Sequence, residues 1–309
     1  YEDGERIVTT APYTAFLKIA EGCSNGCAFC IIPKLRGRYR SRTMESLLHE
    51  AEELAERGVK ELIVIAQDIT RYGLDLEDGS NLSKLLKELC KLPFRWIRLH
   101  YLYPEAVTDE LIETIASERK ILHYLDIPIQ HCNDAILSAM RRRTTKAELI
   151  ALFDKLRAAM PDVVIRTSLI CGLPGETDEA FEELCDFLRE QKLQRAGVFQ
   201  YSREEGTLAA RMEDQVDDDV ARRRVELVVD LQSRVMDEWN ESRLGETVEV
   251  LCEGFDTQEG CYVGRTWADS PEIDGRGLFT AGGVIPAGEF VYVRLTGVSD
   301  GDLTGEIEE

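Results

Sequence analysis

The chain has 309 residues, 44% hydrophobic and 31% charged, and 37 Lys and Arg against 58 Asp and Glu leave a net charge of −21. Such a composition suits a folded protein with one large core and a small appendage, and its overall field disfavours nucleic acid or an anionic membrane and favours basic partners. No apolar run approaches the roughly 20 residues of a membrane helix, "YEDGERIVTT" lacks the basic and apolar regions of a signal peptide, and nine cysteines without a regular framework indicate a reduced compartment, so the expected location is cytoplasmic.

Along the chain, short β-branched runs alternate with longer segments of helical period. "TAFLKIA" at 14–20 predicts the first strand, and "TMESLLHEAEELAERG" at 43–58 the first long amphipathic helix. Strands are expected at 60–66, 95–101, 124–129, 162–170 and 195–201, separated by helices at 81–90, 108–117, 147–160 and 177–191. This alternation predicts parallel strands joined by right-handed crossovers and covered on both faces. An open doubly wound sheet and a barrel both satisfy it. A polar stretch at 204–219 reads as a linker, and 220–243 as one long amphipathic helix. From residue 245 onward, short strands punctuated by glycine and proline predict a small all-β barrel.

"EGCSNGCAFC" at 21–30 places Cys23, Cys27 and Cys30 on one loop directly after the first strand. Zinc usually takes a fourth ligand, and His49, His100, His123 and His131 stand singly and far away in sequence. A redox pair of Cys27 and Cys30 leaves Cys23 without a role. Three thiolates on a four-iron, four-sulfur cluster leave one iron open to a further ligand. The other six cysteines read as small buried apolar residues.

The spacing C-x-x-x-C-x-x-C, with Phe29 before the last cysteine, resembles the signature of the radical S-adenosylmethionine superfamily. "EGCSNGCAFCIIPKLRGRYRSR", "AQDITRYG", "LHYLYP", "DIPIQHCNDAILSAMRR", "GLPGET" and "FQYSREEGTLA" resemble its methylthiotransferase branch, and more closely the members that modify a ribosomal protein. The tail from about residue 245 resembles a TRAM domain. The resemblance implies an α/β fold, a partial (β/α)6 barrel at residues 1–210, a linker and connecting helix at 211–244, and a small all-β TRAM-like barrel at 245–309. It implies a 4Fe-4S cluster on Cys23, Cys27 and Cys30 that binds S-adenosylmethionine and cleaves it reductively, with electrons from a low-potential donor. The implied product is a methylthio group on the β-carbon of an aspartate in a basic small-subunit ribosomal protein of the decoding centre.

Other residues carry further expectations. Phe29 offers a flat apolar surface for adenine. Gln67 and Asp68 close the second strand, where either a cofactor contact or a turn cap fits, and Gln130 ends the fourth strand within reach of a ribose. Arg166 lies in an apolar strand, where a charge needs a partner; the cofactor carboxylate and a core acid are both open. Thr177 reads as a helix cap. The family also carries an N-terminal domain with three more cysteines for a second 4Fe-4S cluster, and the sequence is read as a fragment from which that domain is absent.

Three functions remain open: a radical enzyme acting on a ribosomal protein, one acting on a tRNA adenosine, and a non-catalytic iron-sulfur or zinc module. Residues 243–309 hold four arginines against fourteen acids, a net of −10. Phosphate contacts supply most nucleic-acid affinity, so nucleic acid is disfavoured through this tail and the protein substrate preferred. No membrane is expected as a partner.

Overall fold

The computed structural model describes residues 9–308, so most of the opening stretch read for a leader lies outside the described residues. The chain runs through β1 (Thr14–Lys18), β2 (Ala20–Glu21), α1 (Ile32–Arg36), β3 (Arg40–Ser41), α2 (Met44–Glu56), β4 (Glu61–Ile65), α3 (Leu82–Leu89), β5 (Trp96–Leu99) and α4 (Asp109–Ser117). It continues through β6 (Ile121–Asp126), α5 (Asp134–Ala139), α6 (Lys146–Ala159), β7 (Val164–Cys171), α7 (Asp178–Gln191), β8 (Arg195–Gln200) and α8 (Asp218–Ser242). The sheet order is β1-β4-β5-β6-β7-β8 with every neighbour parallel. This is the partial six-stranded barrel rather than the doubly wound alternative.

Local chemistry starts the helices where the sequence expects them. Thr43, Asn81, Thr108, Thr145 and Thr177 each accept a hydrogen bond from the backbone N–H three residues on, satisfying a donor that the helix itself leaves open. Leucines and isoleucines of these helices then pack on Leu62, Val64, Ile97, Leu99, Leu125 and Ile165 of the strands in one continuous core. The fourth strand lies three residues upstream of its expected place. Pro128 has no N–H for the ladder, so regular pairing ends at Asp126 and resumes only as a bridge from Gln130 to Leu169.

After α8 come β9 (Thr247–Asp256), β10 (Cys261–Arg265), β11 (Gly277–Thr280), β12 (Phe290–Ser299) and β13 (Asp302–Ile307), closed as a barrel in the order β10-β11-β13-β12-β9. Val250, Cys252, Tyr262, Phe279, Val293 and Leu303 form its core. The β10–β11 loop enters the N-terminal end of the larger barrel. There Arg98 Nη1 donates to the Trp267 carbonyl (2.8 Å), Ser270 Oγ meets His100 Nε2 (2.9 Å), Tyr124 Oη donates to Asp274 (2.6 Å) and Arg195 pairs with Asp269 (2.8 Å). At its root Glu61, fully buried, is bound by Arg98 Nε (3.0 Å) and by Arg265 Nη2 (2.5 Å) and Nη1 (3.1 Å).

Burial alone would raise the Glu61 carboxyl, but Arg265 and Arg98 bring it down to about 2. Its folded value lies below its ordinary 4.5, so the stability it contributes is present above that pH and fades as pH falls toward 2. Removing one partner of a buried pair costs roughly 3–5 kcal/mol. Glu61→Gln is therefore expected to lose about that much in urea unfolding at pH 7 and much less near pH 2. A difference between variant and wild type that stays constant across this range contradicts the assignment.

Candidate active site

The three cysteines sit on the loop between β2 and α1. Gly22 bends it at φ 77°, and a Cβ there would lie 2.3 Å from the Arg38 carbonyl oxygen, a conformation and an approach that only glycine allows. Cys23 N–H donates to the Gly37 carbonyl (3.1 Å), Cys30 N–H to that of Cys27 (3.1 Å) and Ala28 N–H to that of Met140 (2.9 Å). Asn25 Nδ2 donates to Asp68 (2.8 Å), while Arg71 donates to Asn25 Oδ1 (3.2 Å). Buried Asp68 also accepts the Thr70 N–H (3.0 Å), so it is both a turn cap and an anchor of the cysteine loop.

Beside the loop opens a cavity of about 460 Å³ lined by Lys18, Cys23, Cys30, Ile32, Ile65, Ala66, Gln67, Tyr101 and Tyr103. Gln67 Oε1 is buried with no partner, which is costly unless a bound group supplies a donor. Tyr101 adopts φ 65°, strained for an aromatic residue, with its N–H on Asp126 (3.3 Å). Burial raises the Cys23 and Cys30 thiols above their usual range. Cys27 Sγ lies 3.0 Å from the hydroxyl of Tyr103, which itself lines the cavity.

Three sulfurs around one ion at about 2.3 Å would lie within about 4 Å of each other. Among the described residues no three His, Cys, Asp or Glu side chains converge on such a point. The donor set of three thiols on a glycine-bent loop, two of them lining a cavity with an orphaned acceptor, fits an iron-sulfur group with a ligand beside it.

The remaining expected residues are dispersed. Gln130, at φ 71°, holds the end of β6 against β7 through its N–H to Ser168 O (2.9 Å). Phe29 packs beside the apolar cluster of Ala28, Ile136, Met140 and Leu173. Arg166 Nη1 pairs with Asp126 (2.7 Å) and contacts Ser168 Oγ (3.3 Å), so the core acid is present as its partner. Buried His131 accepts the Asn133 N–H on Nδ1 (3.0 Å), and burial lowers it to about 4, leaving it neutral. Lys18, Tyr101 and Tyr103 escape the sequence reading, although Lys18 carries the same signal as Arg166, a cation within an apolar strand. A larger groove of about 850 Å³ runs between α7 and α8, but the cysteine loop does not line it.

Residues 17–188 match the radical SAM superfamily and residues 244–307 the TRAM domain. "Ribosomal protein uS12 methylthiotransferase RimO" of Caldanaerobacter subterraneus subsp. tengcongensis is 49% identical over 302 residues, spanning 97% of this chain and 69% of that protein. The protein of the same name from Pelotomaculum thermopropionicum is 50% identical over 304 residues, spanning 97% and 68%. The chain belongs to the RimO family of radical SAM methylthiotransferases. Among solved structures, coproporphyrinogen III oxidase (HemN) from Escherichia coli superposes with TM-score 0.55 at 15% identity over 93% of this chain and 68% of that one. The methyltransferase TsrM from Kitasatospora setae gives 0.52 at 19% identity over 60% and 36%. At such identities these likenesses speak for the fold alone. RimO-family membership makes the chain an enzyme of the transferase class, and the superfamily implies a 4Fe-4S cluster and S-adenosylmethionine.

The two loop glycines give a graded test of this geometry. Gly22→Ala meets both a positive φ and backbone oxygen, whereas at Gly26 (φ 70°) nothing lies within 4 Å of a built Cβ. Gly26→Ala is expected to cost about 1–2 kcal/mol and keep iron after reconstitution; Gly22→Ala should cost more and lose iron. Equal behaviour of the two, read by urea unfolding and iron content, counts against the described loop.

Proposed function

We propose that this chain contributes the radical module and tail of an enzyme that installs a methylthio group on the β-carbon of an aspartate in ribosomal protein uS12. The reading rests on RimO-family membership, and the observation that carries it is the cysteine loop seated against a cavity with an unpartnered glutamine oxygen. Residues 1–210 form the radical unit, 211–244 the connection and 245–309 the tail. Cys23, Cys27 and Cys30 are the cluster ligands. A bound cluster and S-adenosylmethionine supply one-electron cleavage of a carbon–sulfur bond and a radical able to take hydrogen from an unactivated carbon.

The chain's own side chains prepare the site for that chemistry. Ile32, Ile65, Ala66 and the two tyrosines exclude water. Gln67 offers its free oxygen to a donor on the cofactor, Phe29 borders the adenine and Gln130 the ribose. Arg166, already neutralised by Asp126, contributes a positioned N–H rather than a bare charge to the cofactor carboxylate. A second 4Fe-4S cluster for the sulfur step would be held outside residues 1–309, in the additional length of the relatives. Electrons come from a low-potential donor.

Anaerobic reconstitution of the full chain with iron and sulfide is expected to give a cluster that releases 5′-deoxyadenosine from S-adenosylmethionine under dithionite. Cys23→Ala, Cys27→Ala and Cys30→Ala should each abolish both cluster and release. Full activity in any of the three removes that cysteine from the ligand set.

The net of −10 over residues 243–309 steers a basic protein and repels phosphate, an effect that fades as the Debye length shrinks from about 10 Å at 0.1 M salt to about 3 Å at 1 M. The chain is expected to bind uS12 at low salt and release it at high salt, with tRNA bound more weakly throughout. Reversing the exposed acids Glu259, Glu306 and Glu308 to lysine should weaken uS12 binding without altering 5′-deoxyadenosine release. Glu249 and Glu253 are spared because they bond Trp96 and Arg265. Tighter binding of tRNA than of uS12 favours the tRNA-modifying reading instead.

A further inference from the structure

Seven arginines are buried among the described residues: Arg98, Arg142, Arg166, Arg195, Arg224, Arg243 and Arg265. Six of them pair with a carboxylate, respectively Glu61, Asp126, Asp269, Glu176, Glu246 and Glu61 for all but Arg142. Arg142, 6% exposed, instead donates from Nη2 to the Pro128 carbonyl (2.7 Å) and points Nη1 at Cys27 Sγ (3.8 Å), while its Nε is buried with no partner. The nearby Glu105 carboxylate accepts from Thr144 Oγ1 (3.1 Å) and acts on Arg142 through space without bonding it. The guanidinium lies over the Tyr103 ring, 4.2 Å from its centroid, and the Tyr103 hydroxyl reaches the same sulfur at 3.0 Å.

A buried cation without an opposite charge is strongly disfavoured, and stacking on one ring offsets only a few kcal/mol at most. With no carboxylate bonded to it, the guanidinium points instead toward Cys27. Three thiolates carry more negative charge than a four-iron core neutralises, and the deficit grows by one when an electron enters. We propose that Arg142 is the built-in counter-ion of the cluster, and that Arg142 and Tyr103 together orient Cys27 and raise the cluster's reduction potential. Both are positioning residues: they hold charge and a hydrogen bond at a ligand sulfur, and net charge and hydrogen bonds to sulfur are established controls of cluster potential. The one electron that Arg142 favours comes from the external low-potential donor, and no proton transfer is required. The inference rests on the reading of Cys27 as a ligand.

The test compares the reconstituted wild-type chain with Arg142→Met, Arg142→Lys and Tyr103→Phe, reading iron and sulfide content first and then the reduced fraction against a poised one-electron mediator. Arg142→Met is expected to lower the reduced-to-oxidised ratio at fixed poise by about tenfold, equivalent to 59 mV for a one-electron couple. Arg142→Lys should restore most of it, and Tyr103→Phe should shift it the same way by less. An unchanged ratio in Arg142→Met overturns the inference, as does Arg142→Lys falling as far as Arg142→Met. Should Arg142→Met hold no cluster, Tyr103→Phe and Arg142→Lys decide, and an unshifted ratio in Tyr103→Phe overturns it. A wild-type chain that holds no iron overturns the cluster reading itself, an outcome distinct from a loaded cluster with unmoved potential.

Discussion

A charge withdrawn from water must meet its opposite inside the protein, and the placement of buried arginines and acids organises this molecule. Glu61 brings Arg98 of the large barrel and Arg265 of the small one to one carboxylate. Neither guanidinium could remain in that position alone without a desolvation cost of several kcal/mol. The pairing therefore fixes the tail beneath the barrel and carries the β10–β11 loop into its bore. Arg195 with Asp269, and Tyr124 with Asp274, extend the same contact.

With its N-terminal end occupied in this way, the barrel is open for chemistry at the C-terminal ends of the strands. Parallel sheets place their ligand-binding loops there because successive crossovers leave the strand ends free. Asp126 links the two regions. Its carboxylate pairs with Arg166 and accepts the N–H of Tyr101, and Tyr101 lines the cavity beside Cys23 and Cys30. A tail loop that bonds Tyr124 on one strand thus lies two residues from the acid that holds the cavity wall. The strain at Tyr101 and Gln130, both at positive φ, sits where regular pairing gives way to loops that face the cavity.

Much of this was legible in the sequence because it depends on local pattern. Alternating strands and helices, threonine caps and the C-x-x-x-C-x-x-C spacing are short-range features, and each lies where expected apart from the shift of β6 caused by Pro128. The short elements α1, α5 and the β2–β3 ribbon hold too few residues to show a period. What could not be read is what depends on chain-distant contacts. The core acid that Arg166 pairs with is Asp126, 40 residues away. Tyr103 and Arg142 meet Cys27 across separations of 76 and 115 residues. Glu61 opens a strand and looks like an ordinary exposed acid until Arg265, 204 positions on, is folded against it.

The proposed function rests on a loop whose backbone is fixed and on the proposal that its three sulfurs hold a cluster with one iron open. Mössbauer spectroscopy of the chain loaded anaerobically with iron-57 tests that claim most directly. The account predicts one 4Fe-4S cluster per chain in which a single iron changes its signal when S-adenosylmethionine is added, while the three cysteine-bound irons do not. Four irons indifferent to S-adenosylmethionine, or a single mononuclear site, would contradict it.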